Sequence, residues 1–249
     1  MRYFLYKIAS ILLPKNLIKF LGASETLRPL RDWFFNRYAK LKENRIIKWN
    51  NLQFYFFASP QVLLKASKNG IENSLTRTII KIIKKNSNII DIGANYGFIT
   101  LALASYIKND GGIIYSFECD KNIFRNLKAS IKKNNLKNVK PYNTILGENN
   151  NSKIQTADSI LMNESSIIDL IKIDTDGSDL ECLKGCSNII KSSHPIIVIE
   201  INNNMRLVVD YLKQLQYKFF YNQFLKNFGV NELENYEIPN LIATHQELR

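Results

Sequence analysis

Asn88-Ile89-Ile90-Asp91-Ile92-Gly93-Ala94-Asn95-Tyr96-Gly97 is the stretch that decides how this 249-residue chain reads. A short apolar run ends in a carboxylate, and two glycines four residues apart follow it. Glycine there permits a tight turn and lets a ligand approach the backbone closely. The next segment, residues 98–108, has helical length, so its first amides would point into the same space. The order is strand, glycine loop, helix. The spacing differs from the Gly-x-Gly-x-x-Gly of a dinucleotide fold.

Downstream the alternation continues. Strands are predicted at 112–117, 139–143, 167–173 and 195–201, with helices at 122–133, 179–190 and 205–215. Two late strands, 217–221 and 240–244, are joined by a polar loop. The runs at 88–92, 167–173 and 195–201 are nearly continuous Ile, Val and Leu, as expected when helices cover both faces of a sheet. Alternating β and α predicts an α/β fold with a doubly wound, mostly parallel sheet. Upstream, residues 45–57 read as a hairpin, because Asn50-Asn51 supplies two residues that tolerate positive φ. Residues 74–85 carry Leu75, Ile79, Ile82 and Ile83 on one helical face. Residues 1–70 are therefore taken as a basic helical and hairpin extension, and 71–249 as the main domain.

Composition narrows the function classes. Hydrophobic residues make up 45% and charged residues 22%, a balance that excludes collagen, a coiled-coil rod and a largely disordered chain. No apolar run approaches the ~20 residues of a membrane-crossing helix. Cys119, Cys182 and Cys186 cannot build a disulfide framework, and no Cys-x-x-Cys pair suggests zinc. A reducing, cytoplasmic setting is expected. The net charge is +12, but it comes from 25 Lys and only 9 Arg. Nucleic-acid readers lean on arginine's planar fork, so nucleic acid is disfavoured as a partner. Residues 1–50 hold 11 basic and 3 acidic residues, which is +8 of the total. Residues 1–44 read as helices. They suit a helix packed on the main domain, or an amphipathic helix in peripheral contact with an anionic membrane at its inner face. Lys7 interrupts the apolar run that a signal peptide would need.

Open parallel sheets bind ligands at the C-terminal ends of their strands. Asp91, Glu118, Asp174 and Glu200 each end a predicted strand, so four carboxylates would share one edge. Clustered like charges cost stability unless a ligand or cation compensates them. Glu118 lies 25 residues beyond Gly93, where a carboxylate can accept bonds from two ribose hydroxyls. Asp91 suits a cationic ligand such as a sulfonium-bearing amino acid and would repel a pyrophosphate.

These residues resemble the FkbM-type S-adenosylmethionine-dependent methyltransferases. The resemblance is carried by Asp91-Ile92-Gly93-Ala94-Asn95-Tyr96-Gly97, Phe117-Glu118-Cys119, Thr156-Ala157-Asp158-Ser159, Ile171-Lys172-Ile173-Asp174-Thr175-Asp176-Gly177-Ser178-Asp179 and Leu183-Lys184-Gly185. It spans about residues 70–245. Departures are Cys119 for proline, Asp176 and Asp179 for glutamates, and Ser159 for aspartate. The resemblance implies a class I methyltransferase fold with a seven-stranded Rossmann-like sheet. It implies methyl transfer from S-adenosylmethionine to a hydroxyl of a sugar, glycan, lipid or natural-product acceptor. Asp91, Gly93, Ala94, Asn95 and Gly97 would surround the methionine end of the cofactor. Glu118, with Cys119 beside it, would hold the ribose, and residues 143–147, including Asn143 and Ile145, would lie near the adenine.

A hydroxyl nucleophile must lose its proton, so a base within hydrogen-bond reach helps. His194 precedes the strand at 195–201 and His245 follows an antiparallel one, which puts both at the opposite edge. Asp174 is the first choice for base or substrate orienter, with Glu200 and Asp176 next, because an acid near other acids has a raised pKa. The same three could hold a divalent metal, though no metal is assigned. Asp179 is read as a helix cap, and Cys182 and Cys186 as small apolar packing residues. Two other readings stand beside this one. An RNA methyltransferase would use the basic N-terminal arm, but Asp174-Thr175-Asp176-Gly177 stands where base amino-group methylation would place Asn-Pro-Pro-Tyr. A non-enzymatic binding module or a nucleotide binder is the third, and Asp91 argues against the nucleotide binder.

Overall fold

The computed structural model describes residues 43–108, 110–164, 166–200, 204–227 and 240–248. The helices expected within residues 1–42 lie outside that set.

The chain opens with the expected hairpin, β1 (Glu43–Trp49) and β2 (Leu52–Ala58). Asn50 and Asn51 have φ of 46° and 64° and join Trp49 to Leu52, the geometry that matches the twist of a two-residue turn. Helices α1 (Pro60–Asn69) and α2 (Asn73–Ile82) follow. The first was not expected, although Pro60 at its start is an ordinary opening signal. The second stops three residues short of its predicted end, because Ile83 is extended.

Then come β3 (Ile89–Ile92), α3 (Phe98–Ile107), β4 (Ile114–Phe117), α4 (Lys121–Lys133) and β5 (Val139–Tyr142). A small insertion carries β6 (Ile145–Leu146), β7 (Ile154–Gln155) and α5 (Ala157–Leu161). Next are β8 (Leu170–Ile173), α6 (Asp179–Lys184), α7 (Ser187–Ser193), β9 (Ile196–Glu200), α8 (Met205–Gln214), β10 (Phe219–Asn222) and β11 (Asn240–Thr244). The single helix predicted over 179–190 is two. Gly185 breaks it, and a Cβ there would lie 2.1 Å from the Gly147 carbonyl oxygen. The break lets the insertion dock against this corner, where Asp158 Oδ2 and Oδ1 accept the Asn188 and Ile189 amides at 2.8 and 3.0 Å.

The main sheet has seven strands in the order β10-β11-β9-β8-β3-β4-β5. Only β11 runs against its neighbours. The chain moves outward from β3 to β4 and β5, then crosses back to β8 on the other side of β3. The crevice therefore opens between β3 and β8, at the switch point where such sheets bind ligands. β3, β4 and β8 are buried along their whole length.

The hairpin shares the core of this domain. Ile47, Trp49, Phe54 and Phe56 cluster with Leu101, Ile114 and Leu127. Trp49, Phe54 and Phe56 meet the Phe98 ring edge-on at 5.7, 5.6 and 5.9 Å. The β2 backbone is satisfied by α4 and its C-cap. Asn134 accepts from the Tyr55 amide and donates to its carbonyl, and the Ser130 hydroxyl accepts from the Phe57 amide. A strand edge that would otherwise invite pairing is thus closed.

Candidate active site

The glycine loop is built by the sheet beneath it. The amides of Gly93 and Ala94 both donate to the Phe117 carbonyl, at 3.1 and 2.9 Å. Gly93 has φ of +73°, and a Cβ there would fall 1.7 Å from the Asp174 carbonyl oxygen. Only glycine lets β3 and β8 end so close together. Asn95 also takes a left-handed conformation, φ 55°, and Gly97 opens α3 at φ 87°.

Glu118 joins this loop to the end of β4. Its two carboxylate oxygens accept the amides of Asn95 and Asp120, each at 2.8 Å. Asn143, at the end of β5, donates to the carbonyls of Glu118 and Cys119 at 2.8 and 3.1 Å. Cys119 is exposed. Burial, and then the Glu118 charge, push its thiol above the usual range. Ile145 stands 48% exposed beyond this corner, an open apolar face next to a fixed polar floor.

Asp91 is placed differently from what its position suggests. Its carboxylate is fully buried. Oδ2 accepts from the Thr100 hydroxyl at 2.5 Å, and Oδ1 lies 3.5 Å from Lys172 Nζ. Asp91 therefore sits below the loop, held by Thr100 and Lys172. Lys172, its cross-strand neighbour on β8, is 3% exposed. Its ammonium also reaches Asp174 Oδ2 at 3.2 Å and the Gly93 carbonyl at 3.3 Å. Burial opposes the charge on Lys172, but Asp91, Asp174 and Glu72 overcome it and hold the ammonium protonated.

Asp174, Asp176 and Glu200 come together at the ends of β8 and β9, with carboxylate oxygens within 4.8 Å of one another. The Asp174–Gly177 loop turns through Asp176 at φ 53° and Gly177 at φ 118°. Asp179 is 1% exposed and staples that loop, accepting from the Thr175 amide and hydroxyl at 2.8 and 2.9 Å. Burial and the adjoining Asp174 carboxylate push Glu200 up to about 7. Cys182 and Cys186 are buried in the apolar cluster behind α6.

The two histidines lie at the far edge. His194 closes α7, and its ring meets that of His245 at 4.6 Å. Burial and the neighbouring His194 hold the His245 imidazole below its usual value.

A cavity of about 210 Å³ opens beside the glycine loop. Phe56, Val62, Lys65, Ile71 and Glu72, from β2 through the α1–α2 connection, form one side of it. The Gly93–Ile99 segment, Lys172 and Asp174 complete it. The sequence did not single out Lys172, Glu72, Lys65 or Thr100. A lysine inside the apolar run Ile171-Lys172-Ile173 was the available signal, since a buried ammonium demands carboxylate partners. A larger hollow of about 340 Å³, with Lys48, Lys68 and Arg77 among its walls, lies across Gly70. It touches none of the strand ends that carry the acids.

Strand order, the glycine loop at the switch point and the acid ending β4 together define a class I methyltransferase fold. Residues 151–219 match the family model of the methyltransferase FkbM domain. Among solved structures, the methyltransferase FkbM from Methylobacillus flagellatus KT superposes with a TM-score of 0.52 at 17% identity. The match covers 66% of this chain and 45% of that one, so this chain spans under half of the protein it resembles. The T. thermophilus 16S rRNA N2 G1207 methyltransferase RsmC, solved with AdoMet and guanosine, gives 0.51 at 16% identity. There 82% of this chain and 50% of the other are covered. At such identities the likeness is one of fold. No curated protein matches the chain in sequence.

Proposed function

We propose that the chain is an S-adenosylmethionine-dependent O-methyltransferase acting on a hydroxyl of a sugar, glycan, lipid or natural-product acceptor. The observation that carries this is Glu118. It ends β4, is 7% exposed, and is locked by two backbone amides beside the glycine loop. A carboxylate so fixed keeps its remaining lone pairs for two vicinal hydroxyls, which is what a ribose offers. Gly93, Ala94, Asn95 and Gly97 would surround the methionine end, and Asn143 and Ile145 the adenine.

S-adenosylmethionine, when bound, supplies a methyl carbon already activated by its sulfonium. Glu118 and the glycine loop would hold the cofactor, whose methyl would pass to the acceptor oxygen with the carbon–sulfur electron pair left on sulfur. The protein's share is alignment of the two partners and removal of the hydroxyl proton. Asp174 and Glu200 share that second task. Their mutual repulsion raises affinity for one proton, so the pair suits a base working near neutral pH. A hard divalent ion would meet the same oxygens, with Asp176 as a third ligand. Turnover unchanged by EDTA supports the proton-sharing pair, whereas turnover lost to EDTA and restored by Mg²⁺ assigns the cluster to a metal.

The direct test is transfer of labelled methyl from S-adenosylmethionine to a panel of hydroxyl acceptors. Asp174→Asn should lower kcat by ~100-fold or more, the contribution typical of a positioned base. Equal kcat in the variant would remove Asp174 from the chemistry. The basic segment that the sequence places in residues 1–44 would hold the enzyme against an anionic membrane near lipid-linked acceptors.

A further inference from the structure

Glu72 is the one acid lining the 210 Å³ cavity that the strand ends do not explain. It sits between α1 and α2 with φ 45° and ψ 48°, a left-handed conformation that costs a non-glycine residue energy. Its side chain makes no capping bond to α2. Among the described residues its carboxylate has no hydrogen bond or ion pair, only longer-range fields from Lys172, Asp174, Asp91 and Lys65. A half-buried carboxylate without a partner is costly unless something binds it.

Charge in this cavity points the same way. Asp91, Asp174 and Glu72 surround a single buried cation, Lys172, and that lysine is already bonded to Asp174 and Gly93. Asp91 and Asp174 take up the Lys172 charge, which leaves Glu72 unmatched and suits this side of the cavity to a cation. Lys65 lines the same cavity from α1 and offers one free positive charge. An unpaired acid and an exposed lysine on one cavity wall match the two ends of an amino-acid zwitterion.

We infer that Glu72 binds the ammonium, and Lys65 the carboxylate, of the amino-acid head of S-adenosylmethionine. This rests on the cofactor reading above. It gives the segment before the glycine loop a part in cofactor recognition, with Glu72 as the specificity-determining residue for the head group. The α1–α2 connection then closes over the methionine end.

Three ligands separate the terms. S-adenosylhomocysteine keeps the amino-acid head and lacks the sulfonium, and 5′-methylthioadenosine lacks both. Calorimetry on the full chain should show S-adenosylmethionine and S-adenosylhomocysteine weakened about 10-fold or more by Glu72→Gln, as loss of a charge-assisted bond predicts. Binding of 5′-methylthioadenosine should not change. Lys65→Gln, at an exposed helical position, should give the same pattern with a smaller loss. If Glu72→Gln does not fold, Glu72→Asn, which suits left-handed backbone, takes its place. Equal weakening of all three ligands, or weakening of S-adenosylmethionine alone, overturns the assignment. So does unchanged binding while the wild type binds. A wild type that binds neither S-adenosylmethionine nor S-adenosylhomocysteine overturns the cofactor reading and this assignment with it.

Discussion

Lys172 sits in a strand that is otherwise wholly apolar and buried, and the acids around it account for its presence. Removing a buried charge leaves its partner uncompensated, which costs about 3–5 kcal/mol. Lys172→Met should therefore lose about that much in urea unfolding, with Asp91 left alone beneath the loop. A loss under about 1 kcal/mol would mean that Lys172 is not what compensates the buried Asp91 carboxylate. The Asp174–Glu200 pair carries the opposite sign. With Glu200 raised to about 7 from its ordinary 4.5, the folded chain holds a proton that the unfolded chain releases. The stability this proton contributes is present at low pH and is lost as pH rises through about 7. Glu200→Gln should accordingly raise the melting temperature at pH 8 and change it little at pH 5. An equal shift at both values would show that packing, not charge, sets the effect. These pairings also mark what was legible. Asp91, Glu118, Asp174 and Glu200 were found because each ends a strand and one edge collects them. The burial of Asp91 was not readable, because its partner is adjacent only through the β3–β8 register.

Elements show a similar division. The β3–α3 unit and the parallel strands were legible, since a continuous apolar run followed by a helical period leaves few alternatives. The insertion between β5 and β8 was not. Its strands are two residues each, and they exist because Gly147 and Gly185 let backbones touch there. The link between the hairpin and the sheet was also hidden, since it depends on which face of α3 meets which strand. Phe98 makes that link by packing against three aromatic rings of β1 and β2. Phe98→Ala should cost about 3–5 kcal/mol. Because Phe98 follows Gly97 directly, cofactor affinity should fall as well. Full affinity in a destabilised variant would show that the glycine loop is held by β3 and β4 alone.

At the scale of the molecule, the charge is divided. The sheet and its helices are close to neutral for their size, and the excess lies in the N-terminal fifth. No helix among the described residues is long and apolar enough to cross a membrane. Because β1 begins at Glu43, a deletion of residues 1–42 spares the hairpin. That deletion should abolish binding to anionic liposomes and leave cofactor affinity unchanged. Undiminished liposome binding would remove the arm from any membrane role. A salt-sensitive affinity for RNA that disappears with the same deletion would favour nucleic acid instead.

The central claim is that the end of β4 and the glycine loop hold S-adenosylmethionine, and calorimetric titration of the wild type beside Glu118→Ala tests it most directly. The prediction is micromolar binding in the wild type, weakened about 10- to 100-fold in the variant, the worth of one or two charge-assisted hydrogen bonds. Binding that survives Glu118→Ala unchanged, or no binding to the wild type, would contradict it.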